Sequence, residues 1–151
     1  MQPEILLKTS PHQIPIQNAL PKTKVHNLSV LPYLPKTQLQ PLHQLTLSGG
    51  LGNDTLIGVN PLSATPGTNE TDVLIGGQGR DIFAIGDAAT SYYKGTGFAL
   101  IQDFQQGIDR IQLHGKLSDY SIVGNSINLA GTSDQVAVIQ GGFTPDSFLF
   151  V

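Results

Sequence analysis

From residue 49 onward, apolar and polar positions recur with a period of nine. Residues 49–57 read GGLGNDTLI and residues 76–84 read GGQGRDIFA, and both fit G-G-x-G-x-D-x-U-x, where U is a large apolar residue. Their first residues, Gly49 and Gly76, lie three periods apart. In the same frame residues 67–75 read GTNETDVLI, which keeps Gly67, Asp72 and Leu74 at the first, sixth and eighth positions, whereas residues 58–66, GVNPLSATP, keep only Gly58. The apolar position runs Leu47, Leu56, Thr65, Leu74, Phe83. Glycines give tight turns that can approach one another, and D-x-U-x is a very short strand with its apolar residue inward. One such unit cannot bury its own hydrophobe, so units must stack into a coil. Two nines per coil turn would put residues two periods apart on one edge, Asp54 over Asp72, with Asp81 over Ser63. Pro61 and Pro66 leave residues 58–66 open between a roll turn and a looped-out insert.

After Tyr92 and Tyr93 the pattern changes. Short apolar segments follow at 98–104, 110–113, 120–123, 126–129, 135–140 and 147–151, with a hairpin signal at Gly124-Asn125. A small antiparallel β region capping the open end of the coil is the expectation, with Asp103 and Asp109 as turn-forming carboxylates. Residues 1–48 carry no period. Proline recurs every few positions there, so no useful helix forms, and an extended, largely disordered leader is expected. The resulting organisation is a Pro-rich leader over 1–48, a roll over 49–93 and a β cap over 94–151, all-β in class.

Composition divides at the same place. All 17 glycines lie at or after Gly49, and seven of the ten prolines lie before it. The leader carries four lysines against Glu4, a net of +3, whereas residues 49–151 carry four cationic side chains against ten carboxylates, a net of −6. An acidic folded part argues against nucleic acid as a partner. No apolar run approaches the ~20 residues of a membrane span. Pro3, Glu4 and Lys8 interrupt the only candidate apolar run near the start, so no N-terminal signal peptide is read there. With no cysteine, disulfides, thiolate metal sites and a cysteine nucleophile are all excluded.

The chemistry lies in the carboxylates. Closely stacked aspartates repel, and turn carbonyls beside them have few donors to meet. A hard cation answers both. Calcium accepts six to eight oxygens in flexible geometry, carbonyls included, while magnesium demands a stricter octahedron and zinc prefers nitrogen and sulfur. The alternative for each aspartate is a turn-capping carboxylate. No H-E-x-x-H, G-x-S-x-G or P-loop pattern is present, so no catalytic activity is read. His114 is the only histidine beyond the leader and reads as a surface or cap residue.

The nonapeptide resembles the RTX (repeats-in-toxin), haemolysin-type calcium-binding repeat of secreted bacterial proteins. DIFAIGD at 81–87 and ALIQDFQQGIDRIQL at 99–113 extend the likeness to the boundary where such rolls end in secreted proteases. The resemblance implies a right-handed parallel β-roll. It also implies an ion held by turn carbonyls and the sixth-position aspartates of two stacked turns. Carried over, it implicates Gly50, Gly52 and Asp54 with Gly67, Asn69 and Asp72, and Glu70 as an added oxygen. Gly77, Gly79 and Asp81 form a second turn whose site lacks a stacked carboxylate, and Asp87 falls near Glu70 and Asp72. One or two ions are expected. The C-terminal DSFLFV resembles the uncleaved signal of one-step type I export, or is the last strand of the cap. The function so implied is a secreted, non-catalytic module that folds on extracellular Ca²⁺. Alternatives are a surface or interaction protein with structural calcium, and the tail of a larger secreted hydrolase.

Overall fold

A computed structural model describes residues 22–25 and 44–151. From β1 to β7 the chain passes back and forth between two sheets. One contains β1 (Lys22–Val25), β3 (Asp54–Ile57), β5 (Ile82–Ala84), β7 (Arg110–Leu113) and β11 (Phe148–Phe150), in that spatial order and with every neighbour parallel. The other contains β2 (Thr46–Leu51), β4 (Thr71–Gln78), β6 (Phe98–Ile101) and β10 (Gln135–Ile139), again parallel. Among the strands of the described residues, only β9 (Ser126–Leu129) and β8 (Tyr120–Val123) are added antiparallel. They form the hairpin about Gly124-Asn125 and extend the second sheet beyond β10. The fold is therefore an all-β parallel roll with a small antiparallel addition. Parallel pairing continues past residue 93, because β6 and β7 stack on β4 and β5.

One coil turn takes three nines, not two. Leu47 pairs with Leu74 and Leu74 with Ile101; Leu56 pairs with Phe83, and Phe83 with Ile111 one residue later than strict repetition. The cause lies in residues 58–66. They contribute no strand, Leu62 projects into solvent and Thr65 is exposed, so a full nine is looped out between β3 and β4. The next turn has a matching strandless stretch at 85–97, except for one isolated bridge between Gly86 and Ser91, and this keeps the register. Each turn thus has a tight end, where the G-G-x-G-x-D segments lie, and a broad end made of long loops.

Two apolar columns fill the interior. Leu47, Leu74, Ile101 and Ile139 line one sheet, and Leu56, Phe83, Ile111 and Phe148 line the other. Six of these eight are fully buried, each stabilising the coil by roughly 2 kcal/mol of transfer free energy. Tyr92, Tyr93, Val59 and Ile85 close the same core from the broad end. Among the described residues of the expected leader, 22–25 form β1 and 46–48 begin β2, whereas the rest of its expected extended character lies outside the described residues. The leader's histidines (His12, His26 and His43) lie outside the described residues. At the other terminus DSFLFV supplies β11, the edge strand beside β7.

Candidate metal centre

The tight end stacks three turns, residues 49–54, 76–81 and 103–109. Gly52 N–H donates to the Gln78 carbonyl at 2.8 Å, and Arg80 N–H to Asn53 Oδ1 at 2.8 Å, so the first two turns lie directly on one another. Their glycines permit this. Gly77 and Gly79 have φ of 94° and 135°, and a Cβ on either would collide with the carbonyl oxygen of Gly50 or Gly52 one turn earlier. Asp81 occupies the space a side chain on Gly76 would need. The repeat's glycines are therefore room for carbonyls and carboxylates.

Asp54 opens β3 and Asp81 immediately precedes β5; they are 2% and 1% exposed. Asp54 N–H donates to Asp81 Oδ1 at 2.8 Å, and Asp81 N–H to Asp109 Oδ1 at 2.9 Å, giving a row Asp54, Asp81, Asp109. Among the described residues, both carboxylate oxygens of Asp54 and Oδ2 of Asp81 have no hydrogen-bond partner. Burial pushes the Asp81 carboxyl above its ordinary range. The Asp54 N–H opposes this, while the charges of Asp109, Asp54 and Asp103 reinforce it. The Asp109 carboxyl is likewise raised by burial and by Asp103, against the N–H groups of Asp81 and Gln105.

The third turn is closed differently. Asp103 accepts Gly76 N–H and Gly77 N–H, both at 2.7 Å. Asp109 Oδ2 accepts Gln105 N–H at 2.8 Å, and Gln105 Nε2 donates to the Gly77 carbonyl at 3.1 Å. Protein donors thus meet every carboxylate oxygen of this turn.

The broad end corrects the expected stacking. Asp72 lies on β4, in the opposite sheet from Asp54, and its register partner is Ala99. Its Oδ1 accepts Leu45 N–H at 2.9 Å and its Oδ2 the Tyr93 hydroxyl at 2.9 Å. Asp54 and Asp72 therefore do not face one another across a shared ion; Asp54 has Asp81 as its neighbour in place of Asp72, and Asp81 has Asp54 in place of Ser63. Gly67 packs against Val59 and Tyr93, and Asn69, at φ 59°, accepts the Thr96 N–H and hydroxyl at 3.1 Å. Glu70 joins this loop through its backbone, donating to Gly67 and accepting from Phe98. Asp87 lies on the following loop. It accepts Ala89 N–H and Thr90 N–H at 2.8 and 2.9 Å and the Tyr92 hydroxyl at 3.0 Å. Burial alone would raise the Asp87 carboxyl, but those donors and His114 hold it below the ordinary carboxylate range. Tyr93 is fully buried, and burial together with Asp72 raises its hydroxyl well above the usual tyrosine range.

Of the residues singled out from sequence, six come together: Gly50, Gly52, Asp54, Gly77, Gly79 and Asp81. Gly67, Asn69, Glu70 and Asp72 gather at the far end, and Asp87 on the loop beyond. Asp103, expected as a turn-forming carboxylate, carries the remaining polar closure together with Gln105, Tyr92 and Tyr93, to which the sequence assigned no such part. A usable signal was present, because the two perfect repeats start three periods apart rather than two.

Among the described residues no three carboxylate or imidazole groups converge in metal-ligand geometry. The donor set between the first two tight turns is instead two aspartates with main-chain carbonyls. Orphaned buried carboxylate oxygens beside such carbonyls fit a hard oxygen-seeking cation and not zinc. Parallel coil and glycine turns together define a β-roll module. The profile of the family described as Peptidase M10 serralysin C terminal matches residues 45–139, and the chain belongs to that family. The family contains RTX-like calcium-binding repeats, occurs in secreted proteins and is the non-catalytic C-terminal part of M10 serralysins. No curated protein matches the chain. Among the described residues no helix is long and apolar enough to cross a membrane.

Proposed function

We propose that the chain is a non-catalytic calcium-binding roll whose folding is coupled to one ion between turns 49–54 and 76–81. Asp54 and Asp81 would supply the charge, with Gly50, Gly52 and Gly79 supplying carbonyls, the Gly77 carbonyl being taken by Gln105 of the third turn. Calcium bound there would supply positive charge to a buried acidic row. The orphaned oxygens of Asp54 and Asp81 carry this reading, since a buried carboxylate without a donor is costly, and among the described residues the other buried side-chain polar atoms are satisfied. The residues themselves do three things: the glycines let the turns approach, β3 and β5 hold the aspartates in register, and the Leu56–Phe83 column shields the row from one side.

The expected affinity class is that of extracellular modules, with dissociation constants of about 10⁻⁴–10⁻³ M. Micromolar cytosolic calcium would leave such a site empty, which suits a chain exported unfolded and folded outside the cell. The apolar C-terminal β11 is compatible with recognition by type I export machinery. Circular dichroism and calorimetric titration of the full chain test the reading. Millimolar Ca²⁺ should increase β structure cooperatively, with a far smaller response to Mg²⁺. A calcium-indifferent fold would overturn it. The family match favours a second reading, that this module serves as the tail of a secreted metalloprotease. A longer upstream reading frame carrying an H-E-x-x-H zinc helix is the observation that would establish it.

A further inference from the structure

β1 belongs to the leader, yet it takes a defined place in the coil. Lys22 lies opposite Asp54, Thr23 opposite Thr55, Lys24 opposite Leu56 and Val25 opposite Ile57, all in parallel register. The alternation between sheets runs unbroken from β1 to β7, so residues 22–25 sit where a preceding coil turn would place a strand. Without them β3 would be the sheet edge, and its first residue is Asp54, the carboxylate with neither oxygen partnered among the described residues. An unpaired edge of this kind is a template for another strand.

We infer that residues 22–25 are a docking strand for the β3 edge, and that its seating is linked to cation uptake between turns 49–54 and 76–81. The inference rests on the calcium reading above. A parallel ladder needs a fixed edge to pair with, and the edge of β3 opens on one of the residues that would hold the ion. Anything that pins Asp54 orders that edge. By thermodynamic reciprocity, the seated strand must then raise the affinity for the ion. The strand comes from the basic part of an otherwise acidic chain, which favours its approach to an edge that begins with an aspartate. Residues 22–25 thus become the first strand of the roll when calcium is present.

The test uses the full chain and an endoprotease that cuts after lysine and needs no calcium, with a lysine-containing reporter peptide in the same tube. Cleavage after Lys22 and Lys24, read by mass spectrometry, should slow about tenfold on going from chelator to millimolar Ca²⁺, because cutting tracks the population of the open strand. Faster cleavage in calcium would mean that the lysine positions stand in for the ion and would overturn the linkage. Protection that grows with protein concentration would assign the strand to a second copy and overturn seating within one chain. Calcium uptake by calorimetry in the same samples separates the two failures. No uptake would remove the calcium reading and the linkage with it, whereas uptake with unchanged cleavage would remove the linkage alone. Thr23→Pro and Lys24→Pro form an internal control, because adjacent residues of an edge strand point their N–H groups to opposite sides. Only the one that removes a ladder N–H should weaken calcium binding, by about fivefold. Equal effects from both would overturn the assignment.

Discussion

Replacing Asp54 and Asp81 by asparagine, singly and together, tests the tight-end site most directly. Asparagine keeps the volume and leaves an amide oxygen able to accept the Asp54 N–H that now reaches Asp81 Oδ1 at 2.8 Å. What changes is charge at two positions that are 2% and 1% exposed. Losing one of two charged ligands should weaken calcium binding by about 10- to 100-fold, roughly 1.4–2.8 kcal/mol. Once one carboxylate is gone the site is largely lost, so the second substitution costs much less. The coupling free energy between Asp54 and Asp81 should therefore be about 1–2 kcal/mol. Asp54 and Asp72, which lie on strands of opposite sheets, should instead be additive within about 0.5 kcal/mol. The calcium-free protein should respond with the opposite sign. Asp81 already sits among the charges of Asp109, Asp54 and Asp103, so Asp81→Asn should stabilise that form while weakening the ion. Calorimetry gives the affinities, and urea unfolding in chelator gives the calcium-free stability. Additive Asp54 and Asp81 effects, together with coupling between Asp54 and Asp72, would restore a stack of two nines per turn and refute the geometry described.

Three further outcomes follow from the same contacts. Tyr93→Phe removes the hydroxyl that Asp72 Oδ2 accepts in a fully buried setting, and should cost about 1–3 kcal/mol in denaturant unfolding, with calcium affinity changed less than about twofold; a large affinity loss would return Asp72 to the ion site. Gln105→Glu sets a carboxylate against the Gly77 carbonyl that Nε2 now meets, and should destabilise the calcium-free fold by about 1 kcal/mol while adding a second, weaker step to the calcium titration. A single-step titration would mean that Asp103 and Asp109 close the third turn without the Gln105 side chain. The pH dependence has a worked sign. Asp81 and Asp109 have raised carboxyls, so in calcium-free protein the folded form binds more protons than the unfolded one between the ordinary carboxylate range and their folded values. Stability there should fall as pH rises through those values, and calcium should abolish the fall. Asp87, held low, works the other way, its contribution being lost as pH drops through its folded value below the ordinary range. Thermal unfolding from pH 7 down to 3 in chelator reads both limbs, and a calcium-free stability that only declines on acidification would contradict the raised carboxyls.

Much of this architecture could be read from local pattern. The turn-strand unit G-G-x-G-x-D-x-U-x encodes its own geometry, because only glycine tolerates the close carbonyl approach at Gly77 and Gly79 and only an inward hydrophobe makes stacking favourable. The hairpin about Gly124-Asn125 likewise follows from a few adjacent residues. What no local pattern could settle was which turns meet. Stacking depends on the whole length of a coil turn, and the long loops at the broad end stretch that length from two nines to three. This register carried Asp81 onto Asp54 and left Asp72 to a tyrosine at the far end, sequence neighbours that the tertiary structure sends to opposite ends of the roll. Whether an aspartate is orphaned or satisfied depends on donors far along the chain, such as the Tyr93 hydroxyl for Asp72 and the Asp81 N–H for Asp109, and those donors arrive only when the coil closes.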